Sequence, residues 1–456
     1  MFQRFFEEGL AQSSFLIGCD RTKRAVVIDP RRDAGVYLAA ARQNGLTITH
    51  AIETHIHADF VSGARELAAV GARVIAGPGS GLAFEHEEPV DEEQLSVGDL
   101  TLTLLHTPGH TPEHVSVLVE HPGEPRRLFT GDLLFVGAVG RPDLLGEAQA
   151  RRLAEQLFTS LQRVMELDDE IEVHPGHGAG SLCGAEIGKE PSSTIGRERA
   201  QNPMVRLTDR TAFVEGVLGD LPDTPPYFAR TKHVNQHGPN VLGLADGMLR
   251  VPPIRPAAAA ALVADGAIVI DLRTPEAFGT GHPEAAINIA LGPKVGYWAG
   301  WVISPGAPLI LLAEDSKQVP EAAAQLLRVG FERIEGYISG GTQSWRVDRL
   351  PMRSLEQISV SELRAALTSP AKDPIHLVDV RSRREWRAGH IDGAVNIPLG
   401  EVVAHAATLP QDAVIATICE GGVRSSLAAS LLAQEGISRI VNVVGGFAAY
   451  RALETT

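Results

Sequence analysis

Cysteine is almost absent from this chain: Cys19, Cys183 and Cys419 are the three among 456 residues. Three thiols make no disulfide framework, which suits a reducing compartment and points to the cytoplasm. Long apolar runs are missing as well. None reaches the roughly 18–20 residues that span a bilayer, so no membrane segment is expected. The opening stretch "MFQRFFEEGLAQSSFLIGCD" lacks a basic segment followed by an extended apolar core, and no secretory signal is expected. Positive charge is in deficit: the formal net charge of −15 argues against nucleic acid or an anionic membrane as a general partner. An anion must therefore be held locally, by a few basic residues and backbone amides.

What is present is an ordinary globular composition, 44% hydrophobic and 21% charged. The length predicts roughly three domains of about 100–200 residues each. "SSFLIGCD", "RAVVIDP", "ITHAIETH", "LTLTLLHTPGH" and "IEVHPGHG" read as strands, several of them ending in histidine-bearing loops. "FVSGARELAAVGA" and "EAQARRLAEQLFTSLQRVME" carry helical periodicity between them. Functional residue types at strand ends are expected of an α/β site built on loops. An extension follows near residue 190, and the Pro-rich "RVPPIRP" reads as a linker.

Beyond the linker lies an internal repeat. "VIDLRTPEAFGTGHPEAAINI" matches "LVDVRSRREWRAGHIDGAVNI": Asp271, His282 and Asn288 recur 108 residues later as Asp379, His390 and Asn396. A constant offset without gaps means two copies of one α/β domain. The copies part where chemistry would sit. "ATICEGGVRSS" stands in the second and "LILLAEDSKQV" in the first, with Ala313 opposite Cys419.

The short loop after Cys419 enters a helix, and Gly421 and Gly422 are free to turn amide N–H groups inward. With Val423 it forms an expected anion cup at a helix N-terminus, to which Arg424 adds a permanent charge. Cys419 is expected as the nucleophile there. Glu420 would oppose an anion if it faced the sulfur. The "D-x-R…GHI-x-GA-x-N" segment followed by C-x4-R-S resembles the rhodanese family of sulfurtransferases. The resemblance implies a cysteine persulfide on Cys419, and a first copy that carries no sulfur because Ala313 replaces the cysteine.

The N-terminal part gathers histidines. "ETHIHADFVSG" holds His55, His57 and Asp59; "HTPGHTPEH" holds His106, His110 and His114; "FTGDLLF" holds Asp132; "VHPGHG" holds His174 and His177. Clusters from separate strand ends are hard to explain without a metal. These segments resemble the metallo-β-lactamase superfamily, whose first motif is H-x-H-x-D-H. Here the last position is Phe60. The resemblance implies that a two-zinc site loses a ligand, leaving His55, His110 and Asp132 for one Fe(II) per chain, the two-histidine, one-carboxylate set of O₂-activating non-haem iron. His57, Asp59 and His177 then orient ligands or substrate. This pattern resembles the persulfide dioxygenases of the superfamily. "GRPDL" matches their substrate-side loop, which makes Arg141 the expected grip on an anionic thiol carrier, and Cys183 an expected thiol near the iron.

The whole chain is therefore read as an αββα metallo-β-lactamase sandwich at 1–245, a rhodanese-like domain lacking the cysteine at 256–350, and an active rhodanese domain at 354–456. The expected chemistry oxidises a low-molecular-weight persulfide with O₂ to sulfite, and passes sulfane sulfur through Cys419 to give thiosulfate. A homo-oligomer, dimer or tetramer, is expected. The rival reading is a zinc thioester hydrolase of the glyoxalase II type fused to rhodanese domains.

Overall fold

A computed structural model of the chain describes residues 1–219, 221–244, 249–368 and 374–454. The expected domain ends at residues 245 and 456 lie outside the described residues. The chain divides into two compact units, Met1–Leu249 with Leu327–Gly330, and Arg250–Leu326 with Phe331–Thr456.

The first unit is a sandwich of two sheets. One is ordered β1 (Phe2–Glu7), β2 (Gln12–Cys19), β3 (Arg24–Ile28), β4 (Thr47–Ile52), β5 (Arg73–Ile75). The other comprises β6 (Glu93–Val97), β7 (Leu100–His106), β8 (Val115–Glu120) and β9 (Arg127–Gly131), continued beside β9 by two strands further along the chain. Between these in sequence, Leu134–Phe135 and Ala138–Val139 form a small hairpin, β10 and β11. The two continuing strands are β12 (Glu172–Pro175) and β13 (Ser193–Thr194).

Strand periodicity builds the layers. Along β2 and β3, Phe15, Ile17, Val26 and Ile28 face inward onto Leu102, Leu104, Val117 and Phe129 of the other sheet. Their neighbours Leu16, Ala25 and Val27 face outward, under Tyr37, Ala40 and Ala41 of helix α1 (Gly35–Gln43) and Leu67 of α2 (Ala64–Ala68). The period of two sends alternate residues to opposite faces. On the second sheet's outer face, Ala154, Leu157, Leu161 and Val164 of α3 (Glu147–Val164) repeat at helical spacing and cover Leu128 and Val173. Each such leucine, fully buried, contributes about 1.5–3 kcal/mol. The result is the expected αββα sandwich, and the loops at one end of its strands carry the histidines.

The second unit holds two five-stranded, all-parallel sheets of the same topology. The repeated motif explains itself in packing. Arg273 pairs with Asp271 and Arg381 with Asp379. The amide of Asn288 donates to the carbonyls of Asp271 and Arg273, and Asn396 does the same to Asp379 and Arg381. His282 stacks on Phe278 at 3.6 Å and His390 on Trp386 at 3.7 Å. These residues recur because each staples a strand end to the following loop, not because they react.

Candidate metal centre and cysteine loop

His55 follows β4, His110 lies between β7 and β8, and Asp132 follows β9. One donor atom from each lies within 4.8 Å of the other two, and all three residues are buried. Asp132 Oδ2 is 3.9 Å from His55 Nε2 and 3.5 Å from His110 Nε2. The surroundings leave these atoms bare. His55 Nε2 and both Asp132 oxygens are buried with no hydrogen-bond partner. Orphaned buried polar atoms are costly, and a cation among them removes the cost.

The tautomers agree with that reading. His110 Nδ1 is 2.7 Å from the carbonyl of Arg141, so Nδ1–H donates and Nε2 keeps its lone pair. Thr54 donates its hydroxyl to Asp29 and accepts from His55 Nδ1 at 3.0 Å, which frees His55 Nε2 in the same way. Burial holds both imidazoles below their usual range, His55 further so by its neighbouring histidines. They are neutral, as ligands must be. Burial alone would raise Asp132, but His177, His110 and His57 pull it below the usual carboxylate range. Gly131 precedes it at φ 47°, where a Cβ would lie 2.5 Å from Thr54 Oγ1 and 2.7 Å from His114 Nε2.

His57 is turned to other work. Its Nε2 lies 3.1 Å from Asp29 Oδ1 and 3.2 Å from Glu53 Oε2. Burial would lower this imidazole, yet the two carboxylates carry it well above its usual range, so it is a cation in an ion-paired clamp. Phe60 packs on its ring at 4.3 Å. Asn235, on the helix Tyr227–His237, donates to the carbonyls of His57 and Phe60 at 2.8 Å each and accepts the amide of Ser62. The extension past residue 190 therefore holds the histidine loop in place.

Asp59, His177 and Cys183 make a second buried donor group beside the first. His177 Nε2 is 3.4 Å from Asp59 Oδ2 and 3.6 Å from Asp132 Oδ1. Burial, with Asp132 and Asp59 alongside, pushes the Cys183 thiol well above its usual range, which keeps it protonated. Cys183 is thus the expected thiol beside the histidine centre.

His106, His114 and His174 are structural. His114 Nε2 accepts the Asp132 amide at 3.0 Å, and burial brings it down to about 3. His106 bonds the carbonyl of Pro112, and His174 stacks on Phe129. Arg141, the expected grip on a substrate anion, is 1% exposed, and its guanidinium bonds Asp143, Thr224 and the carbonyl of Leu182. What it gives the site is its own carbonyl, which orients His110. A cleft lies beside the centre, lined by Glu53, His55, His57, Glu113 and Asn235.

In the second unit, Cys419 ends the strand Val414–Ile418 and is 2% exposed. The Gly422 amide donates to its Sγ at 3.1 Å and the Ser425 hydroxyl at 3.4 Å. Gly422, at φ 95°, starts the helix Val423–Gln434. Gly421 and Val423 are exposed at its mouth. Both guanidinium nitrogens of Arg424 lie on Glu385, at 2.8 and 2.6 Å, and its face lies 5.7 Å from the ring of Trp298. Burial opposes the Arg424 charge, and Glu385 sustains it above the usual range. Glu420 turns from the sulfur to Arg381 and Arg451. Sequence reasoning missed Ser425, although the serine stands in the quoted motif.

Comparison with known proteins places both units. The model of the metallo-β-lactamase superfamily matches residues 8–177, and that of the rhodanese-like domain matches 255–348 and 359–453. A hydroxyacylglutathione hydrolase of Anaeromyxobacter dehalogenans is 34% identical over 209 residues, 40% of this chain and 78% of its own length. A crystal structure of a metallo-β-lactamase from Staphylococcus aureus is 35% identical with a TM-score of 0.65, covering 74% of this chain and 98% of that one. That of ETHE1 from Myxococcus xanthus is 30% identical with a TM-score of 0.46, covering 53% and 99%. The chain belongs to the metallo-β-lactamase superfamily. Two rhodanese-like domains follow that fold in the same polypeptide.

Proposed function

We propose that this protein is a persulfide dioxygenase with a sulfurtransferase domain. The observation that carries the reading is the clamp on His57. With that imidazole paired to Asp29 and Glu53, and Phe60 in place of a further histidine, neither position adds a ligand to the set His55, His110 and Asp132. Two imidazoles and one carboxylate suit Fe(II) with positions left for substrate and O₂. Bound there, iron supplies the O₂ chemistry that side chains lack.

The chain's own residues fix and shield that centre. Thr54 and the Arg141 carbonyl orient the two imidazoles, His114 holds the Asp132 backbone, and Asn235 pins the loop between His57 and Phe60. The balanced reaction is R–S–SH + O₂ + H₂O → R–SH + SO₃²⁻ + 2 H⁺. At the second domain, the Cys419 thiolate attacks the outer sulfur of a persulfide and expels the thiolate R–S⁻. Sulfite then takes the sulfane sulfur as thiosulfate and returns the Cys419 thiolate. The Gly422 amide and Ser425 hydroxyl receive the charge on the cysteine sulfur. Such a pairing suits sulfide and persulfide detoxification.

A two-metal thioester hydrolase is the second reading, favoured by the Asp59, His177 and Cys183 donor group and by the hydroxyacylglutathione hydrolase relative. Oxygen uptake across a panel of persulfides, with metal analysis, separates the two. About one iron per chain and O₂ consumption are expected. Two zincs with thioester hydrolysis and no O₂ uptake would overturn the dioxygenase.

A further inference from the structure

At the opposite ends of the strands from His55, three loops bring Cys19, Asp99 and His121 together. One donor atom from each lies within 4.8 Å of the others. Cys19 closes β2, Asp99 sits in the turn from β6 to β7, and His121 follows β8. The spacing fits a metal. Cys19 Sγ is 3.5 Å from Asp99 Oδ2, and a tetrahedral zinc with bonds of about 2.0–2.3 Å has ligand–ligand edges of roughly 3.5 Å.

Two independent features support a cation. His121 Nδ1 is buried with no hydrogen-bond partner, an orphaned ring nitrogen of the kind a cation satisfies. The loops are also drawn unusually close. A Cβ on Gly98, at φ 67°, would lie 1.9 Å from Thr22 Oγ1 and 3.1 Å from the Cys19 Cβ, so only glycine permits the approach.

We propose that Cys19, Asp99 and His121 form a second metal site, distinct from the histidine centre, that takes Zn(II) with water as the fourth ligand. Thiolate, imidazole and carboxylate together are a zinc-type donor set. Cys19 belongs to one sheet of the sandwich, and Asp99 and His121 flank strands of the other, so the ion clips the sheets together. Arg21, 74% exposed, lies across both oxygens of Asp99 and competes with the metal for that carboxylate.

The test uses the full chain carrying Asp132→Ala and Cys183→Ser, which breaks both donor groups of the histidine centre. Titrated with Zn(II), this protein should retain about one equivalent. Adding His121→Ala, at a residue 25% exposed and tolerant of change, should remove that equivalent. Cys19→Ser should abolish the thiolate charge-transfer absorption of the Co(II) form. Arg21→Ala should tighten binding by freeing Asp99. Failure to retain zinc with Cys19 and His121 intact would overturn the site, as would an equivalent that survives both His121→Ala and Cys19→Ser. Weaker binding on Arg21→Ala would contradict the arrangement.

Discussion

The two rhodanese copies share one scaffold and differ in what their loops hold. In both, an Asp–Arg pair, an asparagine clamp and a stacked histidine fix the same strand ends. In the second, the loop after the strand gives the Gly422 amide and the Ser425 hydroxyl to the Cys419 sulfur. In the first, Asp315 takes the Lys317 amide on its own carboxylate and closes a capping box with Gln318. The amides of Asp315, Lys317 and Gln318 are thereby taken up within the chain. The comparison separates a motif that builds a domain from a loop that reacts, and the missing cysteine is only half of the loss.

The largest effects should come from breaking that difference. Cys419→Ser should abolish sulfur transfer and shift the product from thiosulfate to sulfite, with O₂ uptake nearly intact. Adding Ala313→Cys should not restore transfer, because the first loop is capped from within; thiosulfate formation by the Ala313→Cys, Cys419→Ser protein would contradict this. Asp132→Ala should remove the bound metal and the O₂ uptake while the rhodanese domain keeps transferring sulfur, since the cores are separate. Full iron retention would refute the ligand set.

A smaller effect concerns the ion pair beside the cysteine. Burial would raise Glu385, and Arg424 with the Ser382 cap brings it down to about 2. A depressed carboxylate contributes stability above its unfolded value near pH ~4.5 and loses it as pH falls toward about 2. Because Glu385 is 35% exposed, water screening reduces the contribution to about 1 kcal/mol. Urea unfolding of Glu385→Gln between pH 5 and about 2.5 should therefore show a gap from the parent that closes with acid. A gap that widens would reverse the sign. Smaller still, Gly422→Ala at φ 95° should cost about 1–2 kcal/mol. Gly421→Ala meets open space and should stay within about 0.5 kcal/mol. Equal losses from the two would mean the cup is not set by backbone conformation.

Much of this was legible in the sequence because the signals are local. Strand alternation gave the sandwich layers, and the fixed offset between Asp271 and Asp379 gave the repeated domain. The donors His55, His110 and Asp132 stood out as residue types at strand ends. What they touch did not. The Asp29 that clamps His57 is 28 residues away, and the Asn235 that pins its loop is 178 away. No periodicity links such positions. Nor does a histidine declare its use: His114 and His174 look like ligands in the sequence, yet one carries a backbone amide and the other an aromatic stack. Arg141 shows the same limit: its charge was visible, but its bonds to Asp143 and Thr224 acquire meaning only through the fold.

The central claim is that a two-histidine, one-carboxylate centre oxidises persulfides while a separate cysteine moves sulfur. The most direct test is an oxygen-electrode measurement on the iron-loaded Cys419→Ser protein given glutathione persulfide, with sulfite measured in parallel. The account predicts one O₂ consumed for each sulfite formed. No O₂ uptake with any persulfide, beside hydrolysis of a glutathione thioester by the zinc-loaded protein, would contradict it.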